Sequence, residues 1–196
     1  MFFKKASPID FLAVGLGNPG KGYANTRHNT GCMALDALAK DAGVALTRSK
    51  FHSLTAEARI GEARVLLMFP QTYMNLSGQA VAEAAKFYKL PPERILVFSD
   101  DISLPLGGLR VRRKGSDGGQ KGLRNIADCI GSTEYPRIRI GIGQKPHPEM
   151  ELADWVLSRY SSDELKTIAE AADKAVEAAK LIFAGNIDQA MNKYSR

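Results

Sequence analysis

A glycine-rich loop directly follows a short apolar strand near the start of the chain, and it constrains the fold more than any other feature. Residues 11–16 are apolar and rich in β-formers, which predicts a buried strand. The glycines after it permit backbone conformations closed to other residues, and Pro19 excludes a helix interior. The next helix should begin near Thr30. The intervening residues should therefore form a polar loop on a rigid strand, where binding and catalytic groups commonly lie.

Three of these glycines also match the dinucleotide-binding fingerprint, G-x-G-x-x-G after a strand. That motif places a helix N-terminus directly against a pyrophosphate. Here a polar loop separates Gly15, Gly17 and Gly20 from the predicted helix. The acid that should follow a second strand would fall near Lys40 and Asp41, at the end of a helix. The context therefore does not favour a nucleotide-binding fold.

Composition favours one domain with a polyanionic partner. With 196 residues, 44% of them hydrophobic, the chain should form a single domain over residues 1–196 with a full core. The net charge of +6 favours nucleic acid as a partner. Residues 1–8 are too short for a signal-peptide core, and no apolar run approaches membrane length, so we expect a cytoplasmic protein without membrane contact. Cys32 and Cys129 should be small buried side chains in a reducing compartment, because they lack metal-ligand spacing.

Strands alternate with helices along the chain, which predicts a three-layer α/β domain with a mixed sheet surrounded by helices. A capping box of Ser161 and Glu164 marks the start of a long helix. The predicted strands are residues 11–16, 55–60, 64–69, 95–98, 109–112 (an edge strand) and 138–142. The predicted helices are residues 30–42, 77–89, 123–130, 161–184 and a short one after Asn186.

His28 is the best candidate for a general base among the three histidines. It follows the glycine-rich loop and precedes a helix N-terminus, whereas His52 and His147 should be solvent-exposed. An imidazole base needs an acceptor that fixes its tautomer. The strand at residues 95–98 delivers Asp100 and Asp101 at its carboxyl end, where ligands bind in open α/β sheets. Either aspartate could orient His28.

Amides and cations complete the set of candidates. Asn18, Asn29 and Asn75 could hold a water or a substrate amide, or could cap loops. Met74 is typical of a gap-filling side chain. A basic cluster could be a solvated surface or a phosphate-backbone contact. It comprises Arg110, Arg112, Arg113, Lys114, Lys121, Arg124, Arg137 and Arg139.

Other reaction types lack their signatures in this sequence. No serine lies in a nucleophile elbow, no cysteine has a thiolate setting, and no histidine–aspartate cluster has metal-ligand spacing. The residues therefore indicate a base-catalysed hydrolase or lyase that acts on a nucleic-acid-like polyanion.

Several long motifs resemble those of bacterial peptidyl-tRNA hydrolases, in that family's order and over nearly the whole chain. They are G-L-G-N-P-G-x-x-Y-x-x-T-R-H-N-x-G, P-x-T-Y-M-N-L-S-G, D-D-x-x-L-P-x-G and R-I-R-I-G-I-G. The resemblance implies a monomeric esterase without metal or cofactor. It would cleave the ester between a peptide, or N-blocked amino acid, and the 3′ ribose of tRNA, with peptidyl-tRNA bound by its acceptor stem and 3′ end.

The resemblance also implies roles for individual residues. His28 would be the catalytic base, Asp100 its orienting acid, and Asn18 the amide that senses the substrate's peptide group. Independently of the resemblance, the amide of Asn75 could hold the attacking water and, with backbone N–H groups of the glycine-rich loop, stabilise the oxyanion. The tRNA-binding residues would be Tyr23, Tyr73, Asn75, Arg112 and Arg139, with Met74 as a wall of the cleft.

One departure from the family pattern concerns the second glycine-rich loop. Where the family usually has G-G-H-N-G-L, this chain has G-G-Q-K-G-L, so Gln120 and Lys121 replace a histidine and an asparagine. We expect Lys121 to contact the RNA backbone, because an ammonium group cannot accept a hydrogen bond but attracts phosphate.

Two alternative functions make different predictions. A non-catalytic RNA-binding relative would be expected to lack His28 or Asp100, and a nucleotide-dependent enzyme would bind a dinucleotide in a thermal-shift assay.

Overall fold

The computed structural model describes residues 9–195, in which seven strands form one mixed sheet of order β2-β3-β4-β1-β5-β7-β6. Residues 1–8, the segment expected to be too short for a signal-peptide core, lie outside the described residues. The central strands β4, β1, β5 and β7 run parallel, and antiparallel strands extend the sheet at both ends. The strands are β1 (Phe11–Gly15), β2 (Arg48–Lys50), β3 (Ser53–Ile60), β4 (Ala63–Pro70), β5 (Ile95–Asp101), β6 (Leu109–Arg112) and β7 (Arg137–Gly141).

Helices cover both faces of the sheet, which confirms the predicted three-layer arrangement. One buried cluster joins the sheet to α1, α5 and α6, and a second joins its other face to α2 and α3. Of the helices described, none is both long and apolar enough to span a bilayer. The helices are α1 (Thr30–Asp41), α2 (Ser77–Tyr88), α3 (Lys121–Ile130), α4 (Leu152–Leu157), α5 (Ser162–Phe183) and α6 (Ile187–Tyr194).

The central strand β1 contributes to both cores because side chains alternate along a strand. Leu12 and Val14 pack toward α2 and α3, whereas Phe11 and Ala13 pack toward α1 and α5. The first turn of α1 crosses close to this strand and to β5: a Cβ atom on Gly31 would collide with the carbonyl oxygen of Phe98. This close approach brings the turn before α1 beside the carboxyl end of β5.

Most predicted elements are confirmed to within a few residues, including the edge position of β6 and the capping box at the start of α5. Two elements were not predicted. β2 consists of three exposed polar residues without an apolar pattern, and α4 has only six residues, too few for the apolar spacing of Leu152, Trp155 and Val156 to repeat. The expectation for Cys129 was wrong: Cys32 is buried, but Cys129 lies on the exposed side of α3.

Candidate active site

A cleft of about 470 Å³ opens at the carboxyl ends of the parallel strands, and most of the predicted site residues line it. One wall of the cleft comes from the loop after β1, the turn before α1, the turn after β4, the ends of β5 and β7, and the start of α3. The predicted residues in this wall are Asn18, His28, Tyr73, Met74, Asn75, Asp100, Lys121 and Arg139.

His28 lies in a short 3-10 turn, Arg27–Asn29, between the glycine-rich loop and α1. Its Nδ1 is 2.9 Å from Oδ2 of Asp100, and the side chains of His28 and Asp100 are 13% and 3% exposed. A carboxylate beside Nδ1 favours the tautomer that carries its proton there. Nε2 is then the unprotonated nitrogen that can accept a proton from water.

The structure distinguishes the two aspartates at the end of β5. The strand extends through both of them, and neighbouring side chains on a strand point to opposite faces. Asp101 therefore points away from His28: its Oδ1 accepts hydrogen bonds from the amide and hydroxyl of Ser103. Its Oδ2 lies 3.0 Å from Nε of Arg139, without the alignment of a hydrogen bond. Asp100 is the carboxylate that contacts the imidazole.

The electrostatics of the cleft raise the pKa of His28 above its ordinary value. Burial disfavours the imidazolium and acts to lower the pKa, but the charge and the hydrogen bond of Asp100 outweigh it. The ammonium of Lys121, across the same cleft, lowers the pKa by a smaller amount. His28 therefore needs a higher pH than an ordinary histidine to become a neutral base.

The three asparagines have different surroundings. Asn29 is buried and clamps the backbone of Asn18, accepting from its N–H at 2.8 Å and donating to its carbonyl at 2.9 Å. Asn18 in turn accepts a hydrogen bond from the backbone N–H of Met74 at 2.9 Å. Within residues 9–195 its Nδ2 has no partner, so it offers a donor to the cleft. Asn75 is exposed in the turn Met74–Leu76 and also lines the cleft.

Gln120 was noticed in the sequence only as a departure from the family pattern, yet it contacts Asp100 directly. Its Nε2 donates to Oδ1 of Asp100 at 3.0 Å, and its Oε1 accepts from the backbone N–H of Leu123 at 2.8 Å. Gln120 is the N-cap of α3, but glutamine is not among the residues favoured at that position, so the sequence carried no signal that would have placed it there. Lys121 follows it, exposed on the first turn of α3.

Arg137 belongs to the predicted basic cluster but is neither a solvated side chain nor a phosphate ligand. It is 1% exposed, beneath the second glycine-rich loop. Its Nη1 donates to the carbonyls of Gly115 and Ser116, and its Nη2 to those of Thr133 and Tyr135. Its charge therefore supports the loop from within. This burial could not be predicted, because an alternating strand pattern does not show which face a loop covers.

The other predicted tRNA contacts are dispersed. Arg139 is 9% exposed and lies under Gly118, where a Cβ atom would collide with its guanidinium. Tyr73 is 61% exposed at the rim of the cleft. Tyr23 is half-buried in the first loop and Arg112 is exposed on β6, both outside the lining of the cleft. Arg139 and Tyr73 thus line the same cleft as the imidazole of His28, whereas Tyr23 and Arg112 do not.

Arg27 connects the turn of His28 to the C-terminal third of the chain. It was not among the candidate residues chosen from the sequence. Its guanidinium carbon lies 3.8 Å from the ring centre of Trp155 and 4.7 Å from that of Tyr160. Its Nη2 forms an ion pair with Glu164 at 2.8 Å. Arginine so enclosed by aromatic rings is a strong contact, because desolvation strengthens the cation–π attraction. Arg27 thereby fixes α4 against the cleft.

The wall of the cleft formed by α4 is apolar. Leu152, Val156 and Leu157 line it, and Leu152 and Leu157 are among the few large apolar side chains that remain exposed. The cleft therefore has a polar wall with the imidazole and an apolar wall opposite. Within residues 9–195, no group of three or more potential metal ligands comes together.

This fold and cleft define a class of protein: an α/β protein with an accessible histidine–aspartate pair, amide donors and cations, the equipment of a hydrolase that activates water. The sequence identifies the family. A profile of the peptidyl-tRNA hydrolase family matches residues 12–196, and the chain belongs to that family.

Proteins of similar sequence and structure align with this chain over nearly their full length. The chain is 49% identical over 186 residues to a peptidyl-tRNA hydrolase of Symbiobacterium thermophilum, covering 94% of this chain and 98% of the relative. It is 46% identical to that of Carboxydothermus hydrogenoformans, covering 95% and 98%. The crystal structure of peptidyl-tRNA hydrolase from Acinetobacter baumannii superposes with a TM-score of 0.89 at 38% identity, over 97% of each chain.

Proposed function

We propose that this protein hydrolyses the ester between the peptide and the 3′ ribose of tRNA, and that His28 activates the attacking water. Family membership supports the substrate and the reaction. The observation that supports the mechanism is the 2.9 Å contact between His28 and Asp100 in an open cleft. The product tRNA is released for reuse in translation.

The proposed reaction needs no covalent intermediate. An ester is a good acyl donor, so a positioned water and a general base are sufficient. Nε2 of His28 takes a proton from water as the oxygen attacks the ester carbonyl, and Asp100 stabilises the imidazolium that forms. The proton then passes to the leaving 3′ oxygen of the ribose.

Charge on the tetrahedral intermediate also requires stabilisation. Asn75 is exposed in the cleft and free to donate its amide to the oxyanion or the water. Gly118 and Gly119 of the second glycine-rich loop line the same cleft, but the N–H of Gly119 already donates to Oδ1 of Asp117 at 2.7 Å. The apolar wall of α4 suits the peptide, which places the tRNA on the cationic side that includes Lys121.

The direct test is incubation with an N-blocked aminoacyl-tRNA and measurement of free tRNA. We expect release that depends on the protein, without added metal or nucleotide. Binding of tRNA without release would instead support the alternative of a non-catalytic RNA-binding relative.

We further propose that the enzyme acts as a monomer in the cytoplasm and holds the acceptor stem through Tyr23, Tyr73, Arg112 and Arg139.

Asn18 should set specificity for blocked substrates more than the rate. Its Nδ2 is directed to a substrate carbonyl, while its Oδ1 is held by the N–H of Met74. We expect Asn18→Asp to narrow the gap in kcat/KM between N-blocked and free aminoacyl-tRNA, because a carboxylate loses the donor and attracts the free ammonium group. The two substrates are compared in wild type and variant. An identical discrimination ratio in both proteins would refute this role.

Lys121 should contact the RNA backbone. We expect Lys121→Asn to weaken tRNA binding at low salt and to flatten the slope of log affinity against log salt by up to about 0.9. Binding titrations at several salt concentrations measure the slope. Single-turnover cleavage at saturating enzyme and alkaline pH should barely change, because His28 is neutral there with or without the lysine charge. An unchanged slope with a collapsed single-turnover rate would instead place Lys121 in the chemistry.

A further inference from the structure

The side-chain amide of Gln120 has a fixed orientation between the cleft and α3. Its Nε2 donates to Asp100 and its Oε1 accepts from the backbone of Leu123. The reverse orientation is excluded, because the carboxylate can only accept and the backbone N–H can only donate. The residue is 7% exposed, so water cannot easily replace either hydrogen bond.

Both oxygens of Asp100 are therefore engaged. Oδ2 faces Nδ1 of His28 at 2.9 Å, and Oδ1 accepts from Gln120 at 3.0 Å. Rotation of the carboxylate would break both contacts together. Within the part of the chain that the structure describes, Gln120 is the only hydrogen-bond donor to Oδ1.

We infer that Gln120 is a positioning residue for ester hydrolysis: it holds the Asp100 carboxylate against His28 and ties that pair to the first turn of α3. The inference rests on the proposed function, because the group it positions is the proposed base. An amide does not ionise, so this hydrogen bond persists over the whole pH range in which His28 is neutral. The family's usual histidine at this position could itself gain a proton in acid.

Other charged groups face the pair from several elements. The positive charge of Lys121, on α3, acts on His28 across the cleft. The negative charge of Asp100 acts on Tyr160, just before α5. Arg139 of β7 lies beside Asp101 in the same cleft. All of these remain in a variant of Gln120, so a change in pH dependence in that variant arises from the side chain at position 120 itself.

Gln120→Glu separates positioning from helix capping. A glutamate keeps an oxygen for the N–H of Leu123, and while protonated it can still donate to Asp100. Once ionised it loses the donor and repels Asp100. We expect its single-turnover rate relative to wild type to fall by about 10- to 100-fold from mildly acidic to mildly alkaline pH, the range for losing one hydrogen bond to a charged group. A pure capping role predicts a constant or rising ratio, because helix N-termini favour negative charge.

Two variants provide controls. Ser116→Glu adds the same charge to the exposed part of the loop without touching Asp100, and its rate relative to wild type should not vary with pH. Gln120→His offers a ring N–H in place of the amide and should lose little rate in alkali. A loss in Gln120→His as large as that in Gln120→Glu overturns the inference.

An NMR titration tests the same point without substrate. The chain has three histidines, so their imidazole signals can be followed separately. We expect the pKa of His28 to be higher in Gln120→Glu than in wild type. An unchanged pKa for His28, or a rate ratio that is constant with pH, overturns the role of Gln120. A wild-type protein that fails to cleave blocked aminoacyl-tRNA overturns the proposed function instead, and the titration still tests Gln120.

Discussion

His28→Ala should lower the single-turnover rate by about 10²- to 10⁴-fold, the usual contribution of a general base. The imidazole lines the cleft and has a carboxylate partner. Neither of the other histidines lines the cleft: His52 is exposed and lies 3.5 Å from Glu83, and His147 is exposed in a loop. We expect tRNA affinity to remain nearly intact, because the cations that would bind phosphate are unchanged.

His52→Ala is the matched control and should cleave at the wild-type rate. Cleavage and tRNA binding are measured separately for both variants. If His28→Ala retained a third or more of the wild-type rate, His28 could not be the base.

Asp100→Asn should be slow for a different reason, with a loss of about 10²- to 10⁴-fold. An asparagine can present its NH₂ to Nδ1 and so favour the wrong imidazole tautomer. It also removes the negative charge that raises the pKa of His28. In wild type, activity should fall as pH drops through a pKa above the ordinary histidine value, because only the neutral ring is a base. In the variant this acidic limb should move to lower pH while the maximum rate falls.

Asp101→Asn is the neighbouring control. Asp101 contacts Arg139 and Ser103 rather than His28, so this change should leave the acidic limb in place. A pH–rate profile of kcat/KM for both variants measures the limb. Movement of the limb in Asp101→Asn, but not in Asp100→Asn, would show that the wrong aspartate was assigned to the imidazole.

The sequence predicted the layers and most elements because apolar periodicity reflects burial. The parallel strands read as apolar runs, and the helices present apolar faces at helical spacing. The same signal is absent in β2, whose three residues are polar and exposed, and it cannot repeat within the six residues of α4, which is why these two elements were not predicted. Cys129 shows a related limit: residue type indicated burial, but its position on α3 is exposed.

The candidate site was predicted as a set of residues rather than as a set of contacts. Sequence reasoning placed His28 beside Asp100 or Asp101, and the alternation of side chains in β5 distinguishes the two. It could not show that Gln120 reaches Asp100 or that Arg137 lies beneath the loop. Gln120 and Asp100 are 20 residues apart and Arg137 and Gly115 are 22 apart, on different elements, so their contacts depend on how the layers pack.

Arg27 has a consequence for the order in which the enzyme becomes competent during its synthesis. Its partners Ile142, Ser158 and Glu164 lie 115, 131 and 137 residues further along the chain. Contacts of such separation form late, because a long loop must close before they can be made. The strand and loop that carry His28 leave the ribosome early, but the set of partners of Arg27 begins with Ile142 and is complete only when Glu164, in the first turn of α5, has emerged. An enzyme that acts on peptidyl-tRNA thus completes its own catalytic turn only near the end of translation.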